Sequence, residues 1–195
     1  MNNYHYIICG LPDLMPEFES KAFSYDKLSE VIREKLSSKD IALLDLFESG
    51  YKEENLSKEF YEEMAKSKNR FVSLYYDFDR TLRNTKVSYV SKELSKNPED
   101  FYVGEFNDKY EEYPKVISVF KTKNIIEREK SLDRLVWDKI STINTFQYFN
   151  MDVILGFMAK AKLVERWSKL DKEEGKIIFK KLVEEVRGTY KGVEL

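Results

Sequence analysis

Between residues 132 and 146, apolar side chains fall at Leu132, Leu135, Val136, Ile140, Ile143 and Phe146. These steps of three and four mark one face of a helix. From Ile154 the pattern repeats through Phe157, Met158, Ala161, Val164 and Trp167. Gln147-Tyr148-Phe149-Asn150 separates the two runs, with Asn150 placed as the N-cap of the second. So short a connection predicts antiparallel neighbours whose apolar stripes face each other. The stretch from Trp137 to Trp167 is the hairpin around which the rest of the chain is expected to pack.

The other elements follow from the same reading. The opening Tyr4-His5-Tyr6-Ile7-Ile8-Cys9 fits a short strand or a buried helical turn ending at Gly10 and Pro12. A lone strand would lack a partner, which favours the helix. Pro12 to Pro16 reads as a loop. Ser24 is a predicted N-cap for a stripe of Leu28, Val31, Ile32 and Leu36. After Ser37-Ser38, a helix through Ile41, Leu44 and Phe47 is expected to end at Gly50 as a C′ residue. Ser57 opens a helix carrying Phe60, Tyr61 and Met64. A longer helix runs from Arg70 through Leu74, Phe78, Leu82, Thr85, Tyr89 and Leu94, ending before Asn97-Pro98. Turn-forming residues fill 97–114, and helix is expected near Tyr110 and over 115–122. Asn124 caps the helix that runs to Phe146, and the next spans Met151 to Leu170. Asp171 to Glu174 has the form of a capping box before a last helix with Ile178, Leu182, Val183 and Val186.

The predicted fold class is therefore all-α, a multi-helix bundle of antiparallel helical hairpins. Its expected organisation is an N-terminal helical subdomain (1–96), a loop or linker (97–114) and a C-terminal helical subdomain (115–195), or one continuous domain over 1–195.

Composition narrows the functional classes. Charged residues make up 35 % of the 195, yet the formal net charge is only −2. Mixed charge of this kind suits amphipathic helices with solvated outer faces. It does not suit a nucleic-acid binder, which carries a basic excess. With the single cysteine Cys9, no intramolecular disulfide can form, and a reducing compartment is expected. No apolar run approaches the roughly 18 residues of a transmembrane helix, and no secretory signal pattern opens the chain. Direct membrane insertion is not expected, so any membrane association would come through partners.

Candidate chemistry is sparse. Asp77-Phe78-Asp79-Arg80-Thr81 resembles the DxDxT loop of haloacid-dehalogenase-type phosphatases, where one Asp attacks phosphorus and the other moves a proton beside bound Mg²⁺. That chemistry needs the motif at a strand end. Here the flanks have helical period, Arg80 stands where Gly is usual, and two residues separated by one on a helix point about 200° apart. A solvated helix face is the favoured reading. His5 and Cys9, at i and i+4, would supply half a metal site, but even an open zinc site needs three protein ligands. A packed Cys9 and a partly buried His5 are expected instead. Neither GxxxxGK[ST] nor GxGxxG occurs, so no nucleotide is expected. Glu62 and Lys66 form a predicted surface ion pair, and Glu129 and Asp133 are like-charge neighbours. Tyr75-Tyr76, Tyr89 and Tyr102 fit core packing better than base stacking. No catalytic, cofactor-binding or metal residue is assigned.

The opening Tyr4-His5-Tyr6-Ile7-Ile8-Cys9-Gly10-Leu11-Pro12-Asp13-Leu14 resembles the aromatic-rich start of an uncharacterised bacterial family whose members are commonly encoded in V-type ATPase operons. So do Asp152-Val153-Ile154-Leu155-Gly156-Phe157, Glu165-Arg166-Trp167 and Leu170-Asp171-Lys172-Glu173-Glu174-Gly175. The resemblance implies a divergent, shortened relative of the V-type ATPase socket protein known as the d subunit in the eukaryotic enzyme. That protein is an all-helical, non-catalytic body between the central stalk and the membrane proteolipid ring. The implied partners are the central-stalk and proteolipid-ring subunits. The implied location is cytoplasmic, peripheral to the inner membrane through those subunits. The family carries no diagnostic functional residue, so the partner-binding surface is left unassigned.

Overall fold

A computed structural model describes residues 4–16 and 24–170, and every regular element among them is helical. Eight α-helices follow in order: α1 (Tyr4–Cys9), α2 (Tyr25–Arg33), α3 (Ser38–Ser49), α4 (Lys58–Ala65), α5 (Arg70–Glu93), α6 (Tyr113–Phe120), α7 (Ile125–Ile143) and α8 (Met151–Ser168). Short 3-10 turns lie at Glu53–Asn55 and Pro98–Phe101. The all-α bundle is what the periodicity predicts. The predicted capping box at Asp171 and the last helix lie outside the described residues.

Caps fix most of the starts. The side chains of Ser24, Ser37, Ser57, Asn69, Asn124 and Asn150 each accept a hydrogen bond from a backbone N–H in the first turn that follows. Each satisfies an amide that the helix itself leaves open, typically worth about 1 kcal/mol. Ser24, Asn124 and Asn150 cap where the sequence places caps, and Ser57 opens its helix in the same way.

The α7–α8 hairpin is antiparallel. Asn144, the C-cap of α7, donates from Nδ2 to the Asp152 carbonyl at 3.0 Å. The Lys160 ammonium lies 4.8 Å from the centre of the Trp137 ring. Farther along, Arg166 reaches Asp133 at 2.9 Å. Gly156 allows the helices to come this close. A Cβ there would lie 3.1 Å from Asn144 Cγ and 3.2 Å from Phe71 Cε2, and closer still to Asn144 Nδ2. Gly156→Ala is expected to destabilise the fold by about 1–2 kcal/mol, because Asn144 must give up its bond to Asp152. Thermal and chemical denaturation would measure it; an unchanged midpoint would show that the two helices are less tightly apposed.

The main core collects α1–α5, α7 and α8, around Phe47, Phe71, Tyr76, Ile140, Ile154 and Leu155. Phe47 sits among the rings of Tyr51, Phe71, Tyr75 and Tyr76, with centroids 5.1–5.7 Å apart. Tyr75 and Tyr76 thus serve packing, while Tyr89 stacks on Phe120 and Tyr102 leans on Phe106. A smaller apolar cluster joins Val116, Phe120 and Leu132.

Several sequence expectations shift in detail. On α5 the buried side runs through Phe71, Val72, Tyr76, Phe78, Asn84, Thr85, Ser88 and Ser91, leaving Leu74 and Leu94 exposed. Small polar residues are buried because the chain at 97–112 folds back on that side. The Asn84 amide both accepts from Val103 N–H (2.9 Å) and donates to Val103 C=O (3.0 Å). Val31 is exposed, and α2 buries Tyr25, Ser29 and Ile32. Gly50 is right-handed (φ −76°), not a left-handed C′; its role is space for the Tyr76 ring. Tyr110 lies in a bend rather than a helix, and its hydroxyl pairs with Thr85 at 2.8 Å. Helix α7 stops at Ile143, so Phe146 falls off the stripe, with φ +68° and 82 % exposure. Leu170 lies beyond α8 and is exposed.

Candidate functional site

Helices α5, α7 and α8 do not close completely. With the turn after α3 they enclose a groove of about 630 Å³. Aromatic Tyr51, Tyr75 and Tyr76 come from the core side, and three clusters of charge line the rest. Into it α5 turns Asp79, Arg83 and Lys86, α7 turns Glu129 and Asp133, and α8 turns Lys162, Glu165 and Arg166.

The first cluster belongs to α5. Asp79 accepts from the Tyr61 hydroxyl at 2.6 Å and from Arg83 Nε at 2.7 Å. Asp77 instead pairs with Arg80 at 2.9 Å in an exposed position. The two aspartates of the DxDxT-like run therefore sit on one helix with separate partners. They do not converge on a common point, in keeping with the helical period of their flanks.

The second cluster ties α7 to α8. Asp133 is only 4 % exposed. It accepts from Arg166 at 2.9 and 3.1 Å and from the Trp167 indole N–H at 2.6 Å. The same guanidinium reaches Glu129 at 2.8 Å. Glu129 and Asp133, like-charge neighbours in sequence, are thus bridged by one arginine 33 residues beyond Asp133. Burial pushes the Asp133 carboxyl above its ordinary range, and Arg166 and Trp167 offset this only in part.

The third lies at the end of α8. Glu165, also 4 % exposed, holds Lys162 at 2.8 Å and Lys169 at 2.9 Å. Burial alone would raise its pKa, but the two ammonium groups outweigh it and hold the carboxyl below the ordinary value. Glu165 is therefore ionised further into acid when folded than when unfolded. Its contribution to stability is complete above the unfolded value of ~4.3 and fades as pH falls through the folded one. Glu165→Gln is expected to cost about 1 kcal/mol at pH 7, since both lysines are well solvated. The deficit should shrink towards about pH 3, in urea titrations at the two pH values. A deficit constant with pH would remove the charge argument.

Lys162 also stands over Tyr25 and Tyr51, 4.6 and 5.6 Å from the ring centres. Among the described residues the buried Tyr51 hydroxyl has no hydrogen-bond partner. Burial first, then the nearby Glu48 carboxylate, pushes the Tyr25 phenol far above its usual range, so it stays a donor to Glu48 at 2.6 Å.

Chemically, the groove is a set of braces. Asp133 accepts from Arg166 and Trp167, and Glu165 pairs with two lysines, so both carboxylates serve as anchors for neighbouring cations. By sequence alone the charges of α7 and α8 read as a solvated face. The bonds between the two helices join residues 33 to 37 apart, and no local spacing reveals them. Only the Asp133–Arg166–Trp167 composition, an acid matched to an Arg-Trp pair, is a usable signal.

The remaining sequence candidates stand apart from the groove. His5 and Cys9 are exposed rather than packed, since α1 buries Ile7 against the core. The His5 ring stacks on Phe149 at 3.6 Å. Among the described residues no group of three or more His, Cys, Asp or Glu side chains is placed to hold a metal ion. Glu62 pairs with Lys58 at 3.9 Å, not with Lys66. No described helix is long and apolar enough to cross a membrane.

Compared with known proteins, the sequence matches one family model, described as protein of unknown function (DUF2764), over residues 1–57 and 48–189. No curated protein matches. No solved structure matches.

Proposed function

The chain belongs to the DUF2764 family of proteins of unknown function, and from that premise we propose that it is a non-catalytic coupling or assembly component of a V-type ATPase. On this reading it links central-stalk and proteolipid-ring subunits on the cytoplasmic side of the inner membrane and takes part in ion or proton transport without binding nucleotide. The resemblance of Tyr4–Leu14 and of the segment around Asp152–Trp167 to the family encoded in V-type ATPase operons supplies the assembly.

One structural observation supports the task. Helices α7 and α8 are cross-braced by Arg166, which pairs with the buried Asp133 and with Glu129. A body that passes torque from shaft to ring must resist shear between its helices. Buried charge pairs resist it better than apolar contact alone, because sliding by one turn leaves a charge without its partner.

Affinity purification of the tagged chain from gently solubilised membranes, followed by mass spectrometry, tests the proposal. Stalk and proteolipid subunits should come with it. Recovery with unrelated soluble partners, while the ATPase assembles without it, would replace this reading with that of a helical adaptor outside ATPases. A DxDxT phosphatase reading would require Mg²⁺-dependent turnover that Asp77→Asn abolishes, and the separate partners of Asp77 and Asp79 give no support for it.

A further inference from the structure

The turn between α7 and α8 stands at one end of the bundle and projects aromatic side chains into solvent. Phe146 is 82 % exposed, Tyr148 67 % and Phe149 46 %. Phe146 is also held at φ +68°, a left-handed conformation that side-chain-bearing residues rarely adopt. An exposed phenylalanine in such a conformation stabilises nothing inside the fold.

Basic residues surround it. The α4–α5 turn lies alongside, because Arg70 Nη1 donates to Ile143 C=O at 2.8 Å and Asn69 Nδ2 donates to Asp152 at 2.7 Å. This brings exposed Lys66, Lys68 and Arg70 to the aromatic turn. On the other side, His5 stacks on Phe149, and the neighbouring Tyr4 bonds Asp40 at 2.9 Å. That places exposed Lys39 at the same end, with Lys35 over the exposed Tyr6 ring. The carboxylates bonded here, Asp40 and Asp152, are buried and turned inward, while Glu62 and Glu63 in the last turn of α4 and Glu34 beside Lys35 are exposed.

We infer that this end of the bundle docks directly on an anionic lipid bilayer, with Phe146, Tyr148 and Phe149 seated at headgroup level and Lys66, Lys68, Arg70 and Lys39 over the lipid phosphates. Aromatic side chains favour the membrane–water interface, and basic residues beside them add attraction to anionic headgroups. The use of lysine points to lipid rather than protein, because lysine is depleted in protein interfaces. The inference does not depend on the ATPase reading; it adds a contact with lipid itself that partner subunits do not mediate.

The test is flotation of the purified chain with vesicles of pure phosphatidylcholine or of equal parts phosphatidylcholine and phosphatidylglycerol. Binding is expected to the anionic vesicles alone and to weaken in high salt. Lys66→Gln with Lys68→Gln should lower the affinity about twenty-five-fold, at roughly fivefold per charge. Phe146→Ser with Tyr148→Ser should abolish the part of binding that survives high salt, with helicity and melting point unchanged. Equal binding to both vesicles, no binding to either, or indifference to both pairs of substitutions would overturn the inference. So would self-association of the parent chain that Phe146→Ser abolishes, since a second copy would then cover the patch. Because only lipid and this chain are present, either result leaves the purification test of the ATPase assembly untouched.

Discussion

Gly50→Ala is expected to lower the unfolding free energy by about 3 kcal/mol, at the upper end of ordinary overpacking costs. The backbone is not the reason: φ −76° and ψ −2° suit alanine well. The obstacle is Tyr76. A Cβ at position 50 would lie 2.6 Å from both Cε1 and Cζ of its ring and nearer still to its hydroxyl. That hydroxyl donates to the Phe47 carbonyl, and the ring is wedged among Phe47, Phe60 and Tyr75, with centroids 5.0–5.5 Å away. It has nowhere to move, so α3 must shift off the core. A melting point lowered by about 6–12 °C is the observable for a chain of this size. Adding Tyr76→Phe should recover only part of the loss, because Cε1 and Cζ still collide. If instead Gly50→Ala cost under about 1 kcal/mol, the Tyr76 ring would have room to yield.

Asp133→Ala is expected to cost about 2–3 kcal/mol, and Asp133→Asn clearly less. Removing the carboxylate leaves the Trp167 indole without the 2.6 Å acceptor and Arg166 without two of its three bonds. The full 3–5 kcal/mol of a broken buried pair does not apply, because Arg166 is half exposed and water can reach it. Asparagine keeps an acceptor for Trp167 and removes a charge that burial disfavours. The pH dependence separates the two effects. The folded carboxyl titrates above its unfolded value of ~3.9, so the folded state binds the proton more tightly. Relative to the parent, Asp133→Asn should therefore gain stability as pH rises from about 4 through the folded value. Urea midpoints measured across that range would show it. A gap that moves the other way would mean that Arg166 outweighs burial. Glu165, with its pKa shifted down, must show the opposite trend, which makes the two carboxylates internal controls for each other.

Much of the fold is legible in the residues because it is local. Ser24, Ser57, Asn124 and Asn150 mark helix starts through bonds that close within one turn, and the α7–α8 stripes follow from the helical period. What is illegible depends on partners distant in sequence. The period says that α5 has a buried side but not which one. The bond pair between Asn84 and Val103 decides it, and it puts Ser88 and Ser91 inside and Leu94 out. Phe146 continues the α7 stripe by spacing, yet the Asn144 cap ends the helix first. The groove is least readable of all. Glu129, Asp133 and Arg166 look like solvated charge until the hairpin closes and makes three residues one unit.

The two halves of α5 meet different surroundings. Up to Phe78 the helix buries aromatic and aliphatic side chains; from Asn84 onward it buries amide and hydroxyl groups against the returning chain. Opening the second half parts Tyr89 from Phe120 and hands the Asn84 hydrogen bonds to water, whereas opening the first exposes Phe71 and Tyr76 together. One continuous helix thus joins two differently packed halves, an aromatic one in the main core and a far one held to the 97–112 segment by Asn84 and to α6 by Tyr89.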